Sequence, residues 1–179
     1  MIKRVSFSNR AVELYEIWDY YETTYTSLRN YLKRIRNTNI TDNKFTGMTA
    51  TELEMYFDEK FNELEYQASL VTLSAIEAKF RMDYLQRVYK RYRDDLTGEF
   101  RKLYNTKLNR ASLENDILEI WKKYYPSYKI IISDYKSALK YRHWLAHGRY
   151  WVPKFGRKYD LGTVYHIAER VYLNLPFVI

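Results

Sequence analysis

Val12, Tyr15, Trp18, Tyr21, Tyr25, Leu28 and Leu32 follow one another at steps of three and four, the spacing of one stripe along an α-helix. The pattern predicts a helix over residues 9–36. Residues 37–47 then turn polar and read as a loop. Thr49 with Glu52 three residues on is a capping-box signature and opens a second helix. Neither Pro nor Gly interrupts the chain from there to Leu96, and Leu70, Leu73, Ile76, Phe80, Tyr84, Leu85 and Val88 keep to one side. So long a segment predicts a bend or break within residues 67–73, and Gly98 predicts its stop. After a polar stretch over 105–110, a helix is predicted over 113–125, closed by Pro126. Ser133 or Asp134 caps the next one, which runs to about His147 with Gly148 at its C-terminal end. Pro153 and Gly156 mark a basic loop, and Asp160 opens a last amphipathic helix to about Leu175.

Composition strengthens the helical reading. The 179 residues hold five Gly and three Pro, far below the roughly 12% of average usage. Sandwiches and small barrels need such residues at their turns, so long elements are expected instead. No repeat, low-complexity tract or linker interrupts the chain. The expectation is an all-α fold, a single domain over 1–179 built as a bundle of about five helices.

Charge and aromatic content add a partner class. Lys and Arg number 30 against 22 Asp and Glu, and 20 Tyr, 8 Phe and 4 Trp are present. A basic chain suits polyanions, and exposed rings can stack on unpaired bases. Most of the rings are expected in the core. With no cysteine, disulfides, thiolate zinc sites and Cys nucleophiles are excluded. The N-terminal ten residues contain no apolar run of the signal-peptide kind, and the longest apolar candidate elsewhere, residues 128–132, is broken by Lys129. A cytoplasmic protein is expected, with no membrane association and no cofactor.

Two of the three histidines fall in Tyr141-Arg142-His143-Trp144-Leu145-Ala146-His147-Gly148-Arg149-Tyr150-Trp151. Three readings are open for this segment. His143 and His147 stand at i, i+4 and so share a helical face, as two metal ligands would. The metalloprotease form of that motif needs Glu after the first His, where Trp144 stands, and carboxylates would have to complete the shell. Arg142 and His147 also form an Arg-x4-His pair near the end of a capped helix. On the third reading Arg142 and His143 are solvated and His147 is a helix-end residue favoured by the dipole.

The second reading resembles the HEPN superfamily, which is marked by Arg, a polar residue, three more residues and His on a late helix of a small bundle. Here those are Arg142, His143 and His147 within Leu-Ala-His-Gly. The resemblance is sharp over about a dozen residues and architectural elsewhere. Asn or Asp is commoner than His after the motif Arg, and the Tyr found two residues after the His in toxins paired with a nucleotidyltransferase antitoxin is replaced by Arg149, with Tyr150 next. The resemblance implies a metal-independent endoribonuclease of toxin–antitoxin or anti-phage defence. RNA such as tRNA or mRNA would be its substrate, a homodimer its working form, and an antitoxin or defence complex its partner. It implies catalytic roles for Arg142, His147 and His143. It further implies an acidic residue on an earlier helix that orients the Arg, for which Glu77 is the candidate; otherwise Glu77 pairs with Arg81 at i+4. Some members of the superfamily are inactive, so a non-catalytic module binding RNA or a partner protein is the alternative.

The chemistry of these residue types suits that activity. Imidazole exchanges protons near neutral pH, and guanidinium offers a permanent charge and a donor fork to phosphate. Five residues turn the helix by about 500°, which leaves Arg142 and His147 about 140° apart and off one face. A long Arg side chain, or a second copy of the motif across a two-fold axis, would have to complete the site. Arg149, Lys154, Arg157 and Lys158, interleaved with Tyr150, Trp151 and Phe155, suit phosphate contact and base stacking; otherwise they form a solvated loop over the core. Arg87, Lys90, Arg91 and Arg93 read as a solvated helix face, and His166 as a surface residue.

Overall fold

The capping box at the head of the longest element closes as its sequence predicts. The Thr49 hydroxyl accepts the Glu52 N–H at 3.2 Å, and the Glu52 carboxylate accepts the Thr49 N–H at 2.8 Å. The computed structural model describes residues 4–8, 10–37 and 43–179, and every regular element among them is helical. The α-helices are α1 (Leu14–Asn37), α2 (Ala50–Lys90), α3 (Asp95–Lys107), α4 (Leu118–Tyr124), α5 (Lys129–Ala146) and α6 (Leu161–Asn174). Single turns at Asn43–Phe45, Leu108–Arg110 and Pro126–Tyr128, and a π-turn at Leu113–Ile117, connect them. The all-α expectation is met, with six α-helices in the described residues rather than about five. Asn9 and residues 38–42, parts of the expected first helix and loop, lie outside the described residues.

Four boundaries differ from the sequence reading. Helix α1 starts at Leu14, and its buried side begins with Leu14 and Ile17, while Val12 and Tyr15 are exposed. Helix α2 runs through residues 67–73 unbroken. Its buried side chains there include Ala68, Ser69 and Thr72, small enough for neighbouring helices to approach, and the Thr72 hydroxyl bonds the Ala68 carbonyl at 2.8 Å. The helix stops at Arg91, which takes the left-handed conformation, and Asp94 caps α3 by accepting the Thr97 N–H at 2.8 Å. Gly98 therefore sits inside α3. Helix α5 starts at Lys129, straight after the Pro126 turn, so Ser133 and Asp134 are interior positions. Asp134 pairs with Arg170 of α6 at 2.7 Å. The Asp160 cap of α6 is as expected.

Two cores follow from how α2 meets its neighbours. Phe45, Leu53 and Phe57 gather Leu28, Tyr31, Leu32 and Ile35 of α1 into a small cluster. Beyond Leu64, α2 runs through the main core with Trp121, Tyr135, Ile132, Val164 and Val171. No helix among the described residues is long and apolar enough to cross a membrane.

Arg87 is not part of a solvated face. Its side chain is 3% exposed and pairs with fully buried Asp83 at 2.9 Å and with Asp94 at 3.2 Å. Its remaining nitrogen donates to the Pro176 carbonyl at 2.8 Å, and Asp83 accepts the Val178 N–H at 2.9 Å. Burial pushes the Asp83 carboxyl up while Arg87 pulls it down. Phe177, between those two anchors, enters the Phe80–Trp121 ring cluster at 5.1 and 5.4 Å. The C-terminal residues are thus fastened to α2 by charge and by an aromatic plug.

Removing one partner of a buried pair leaves an uncompensated charge, at a cost of about 3–5 kcal/mol. Urea unfolding of Arg87→Ala or Asp83→Ala should show a loss of that order. The joint change Asp83→Leu with Arg87→Met should recover most of it. Single losses below about 1 kcal/mol would contradict a desolvated network.

Candidate functional site

Helix α5 delivers Arg142 and His143 to the edge of the main core while burying Tyr141 and Leu145 on its other side. Arg142 Nη2 lies 3.1 Å from Glu77 Oε2 on α2, and Arg81 Nε lies 2.8 Å from Glu77 Oε1. Arg81 also donates to the Ala111 carbonyl at 3.2 Å. Both partners expected for Glu77 are therefore engaged at once, one guanidinium on each carboxylate oxygen. Arg142 Nε is buried and meets no hydrogen-bond partner among the described residues.

These side chains line an open cleft of about 630 Å³, within the range of sites that hold small ligands. One wall is α5, with Leu139, Lys140, Arg142 and His143; another is Arg110 to Glu114 at the turn before α4. Trp151, Lys154 and Phe155 form a third. Five cations (Arg81, Arg110, Lys140, Arg142 and Lys154) face two carboxylates, Glu77 and Glu114, so the cleft carries excess positive charge.

The third wall is held by the way α5 ends. Gly148 takes φ +77° and Arg149 φ +57°, and the Arg149 N–H returns to the Trp144 carbonyl at 3.1 Å, the six-to-one bond of a Schellman end. The Trp144 indole then donates to the Trp151 carbonyl at 2.8 Å. The reversal leaves the Trp151 ring 5.9 Å from that of His143. Trp144, standing where a metalloprotease would have Glu, is a tie between helix and loop.

His143 and His147 meet with ring centroids 4.2 Å apart, as their i, i+4 spacing requires. Both are exposed. His147 is the last half-turn of α5, its N–H bonded to the His143 carbonyl at 3.1 Å, and it does not line the cleft that Arg142 and His143 line. Among the described residues no third His, Asp or Glu joins the two imidazoles in a group that could hold a metal ion.

Comparison with family models, curated proteins and solved structures finds no match for this chain.

The expected phosphate-contacting residues divide. Lys154 and Trp151 line the cleft. Arg149 is committed elsewhere: it pairs with Glu63 at 2.6 Å and lies 4.7 Å over the Tyr66 ring. The pairing holds the Glu63 carboxyl below its ordinary range. Arg157 covers the Tyr159 ring at 4.8 Å and approaches Asp134 at 3.9 Å. Lys158 and Tyr150 are exposed and stand outside the cleft lining. Phe155 belongs to the wall, packed on Tyr141, Trp144 and Tyr159, and burial there pushes the Tyr141 hydroxyl up to about 12. His166 is exposed on α6.

Arg110 and Lys140 escaped the sequence reading, and Arg81 entered it only as the alternative partner of Glu77. Lys140 had a usable signal, standing three residues before His143 on the same helix side. Arg110 had none, since only the fold brings it to α5.

A double-mutant cycle on Glu77→Gln and Arg142→Gln in urea unfolding should give a coupling of about 0.5–1.5 kcal/mol that shrinks in 1 M salt. Additive losses would mean that the ion pair does not hold Arg142 in solution.

Proposed function

We propose that this chain is a HEPN-like endoribonuclease that cleaves single-stranded or loop RNA without a metal ion, in a cytoplasmic toxin or anti-phage role. The observation that supports this best is Arg142 at 3.1 Å from Glu77 in the wall of a cation-lined cleft, with the His143–His147 pair beside it. A carboxylate that orients a motif Arg is what the resemblance asks of an earlier helix.

The reaction needs little else. An imidazole, assigned to His147, takes the proton from a ribose 2′-hydroxyl, whose oxygen bonds to the adjacent phosphorus. The bond to the 5′-oxygen breaks, and that oxygen takes a proton from the imidazolium and leaves as a 5′-hydroxyl. The other product is a 2′,3′-cyclic phosphate. Arg142 stabilises the charge on the crowded phosphate, and Glu77 holds the guanidinium ready before substrate arrives. His143, in the cleft wall, assists His147. Trp151, in the cleft wall, supplies a face for unpaired bases.

The working form of this reading is a two-fold homodimer in which each copy's motif meets the other's, a form supported by Arg142 lining the cleft while His147 stays at the helix end. Tyr150 and Val152, 84% and 89% exposed next to the motif, are suited to such a contact. A second reading has its own observation: His147 stands outside the cleft that Arg142 lines, as in a module that binds RNA or a partner protein without cutting it. An antitoxin or defence-complex partner would restrain either form.

Single-turnover cleavage and filter binding on one RNA separate the two readings. His147→Ala should slow cleavage by about 10²–10⁴-fold at nearly unchanged affinity. Arg142→Ala should lose rate and affinity together, with little rescue by Lys. Cleavage should persist in excess chelator with cyclic phosphate ends. A folded His147→Ala that cleaves like wild type would replace the nuclease reading by the binding module, and loss in EDTA restored by zinc would point to the His143–His147 metal site.

For the composite site, titrating wild type with His147→Ala chains should reduce activity more steeply than dilution explains. A strictly proportional loss, or a monomer at assay concentration, would contradict it.

A further inference from the structure

We infer that Arg110 and Lys140 form a second phosphate subsite in the cleft, gripping the RNA backbone at a phosphate flanking the one assigned to Arg142. The inference rests on the RNA reading above and adds two residues outside the motif. Arg81 and Arg142 share the Glu77 carboxylate. Arg110 and Lys140, by contrast, line the same cleft, are exposed, and form no ion pair with any described residue. Glu114 is the other carboxylate of the cleft lining. Unpaired cations gathered in one concave site attract an anion more strongly than the same charges spread over a convex surface.

Both residues stand on fixed backbone. Lys140 projects from α5 two residues before Arg142. Arg110 ends the Leu108–Arg110 turn, and its neighbour Ala111, 2% exposed, has its carbonyl held by Arg81. A guanidinium fork and an ammonium lining one cleft can bind a phosphate together without first ordering a loop. A mononucleotide monophosphate would use either this subsite or the Arg142 side; a polynucleotide, with a phosphate at every step, uses both. The ligand is thus the phosphodiester chain rather than a free nucleotide or inorganic phosphate.

The test reads binding alone. Fluorescein-labelled 2′-O-methyl RNAs of two, four and eight nucleotides cannot be cut through a 2′-hydroxyl, and their affinities are measured by anisotropy from 50 to 300 mM salt. Wild type should gain affinity with length. Arg110→Gln with Lys140→Gln should bind the longer probes about tenfold more weakly at low salt, with the salt slope shallower by about 0.7, the value for one phosphate charge no longer neutralised. Lys102→Gln, exposed on α3 and paired with Glu99, is the control and should change neither. Unfolding midpoints should stay unchanged, since neither Arg110 nor Lys140 has an ion-pair partner to leave behind. Unchanged affinity and slope in the double variant, with wild type binding the probes, overturn the subsite and leave the RNA reading standing. Competition by inorganic phosphate as effective as by the eight-nucleotide chain overturns the backbone assignment. No binding by wild type overturns both subsite and RNA reading. The expected pattern in a protein that cleaves no RNA supports the subsite and removes only the nuclease chemistry.

Discussion

The width of the buried face of α2 changes along its length, and the remaining helices are disposed accordingly. Over its first turns the buried positions are Leu53, Phe57 and Leu64, a narrow stripe that one partner, α1, can cover. From Ala68 onward Ser69, Thr72, Leu73, Ala75, Ile76, Phe80, Asp83, Tyr84, Leu85 and Arg87 are all buried, too wide a sector for a single neighbour. Helices α3, α5 and α6 therefore pack around this half. A polar group there has no water to turn to, so it must find a partner or face the desolvation penalty. Thr72 uses its own helix, and Asp83 and Arg87 use each other and the C-terminal backbone.

Depth separates the two acidic residues of this half of α2. Asp83 lies where no solvent reaches, and its pair with Arg87 closes the structure. Glu77, six residues earlier, lies at the edge, where α5 leaves a cleft open. Its two oxygens each take one guanidinium. One carboxylate between two arginines fixes both orientations yet leaves a net positive charge facing the cleft. Half-buried charges interact more strongly than solvated ones, so Arg142 is held in place before any anion enters. The same helix thus supplies a closed network and an open one.

The fold class was legible because it depends on local signals: steps of three and four, the Thr49–Glu52 box, the Asp160 cap, and the scarcity of Gly and Pro. The misread positions include local caps as well as sites decided by tertiary contact. Gly98 looks like a stop, but Asp94 and Thr97 build a cap four residues ahead of it. Arg87 looks solvated among Lys90, Arg91 and Arg93, and only the return of the C-terminal residues to α2 shows where it lies. At the site, the His143–His147 proximity and the Glu77 pairings could be read from spacing and helix position. Arg110 could not, since no local pattern records that the turn before α4 faces α5. Arg149 shows the converse: its place in a basic loop suggested phosphate contact, whereas helix termination aims it back at Glu63 and Tyr66.

That termination also governs what the motif presents outward. An ordinary helix end would carry residues 148–152 away from α5; positive φ at Gly148 and Arg149 reverses the chain instead. Three ties hold the reversal: Arg149 N–H to Trp144, the Trp144 indole to Trp151, and the Arg149 guanidinium to Glu63. With Trp144 and Arg149 turned inward to make these ties, Tyr150 and Val152 are left as the outward positions, and the two imidazoles lie beside them. Isolated apolar side chains on a surface need no explanation, but two at over four-fifths exposure on a pinned loop need no further ordering of the backbone on contact. The turn that ends α5 therefore couples two properties of one short segment: the placement of the His143–His147 pair at the cleft rim and the display of a rigid, partly aromatic edge next to it.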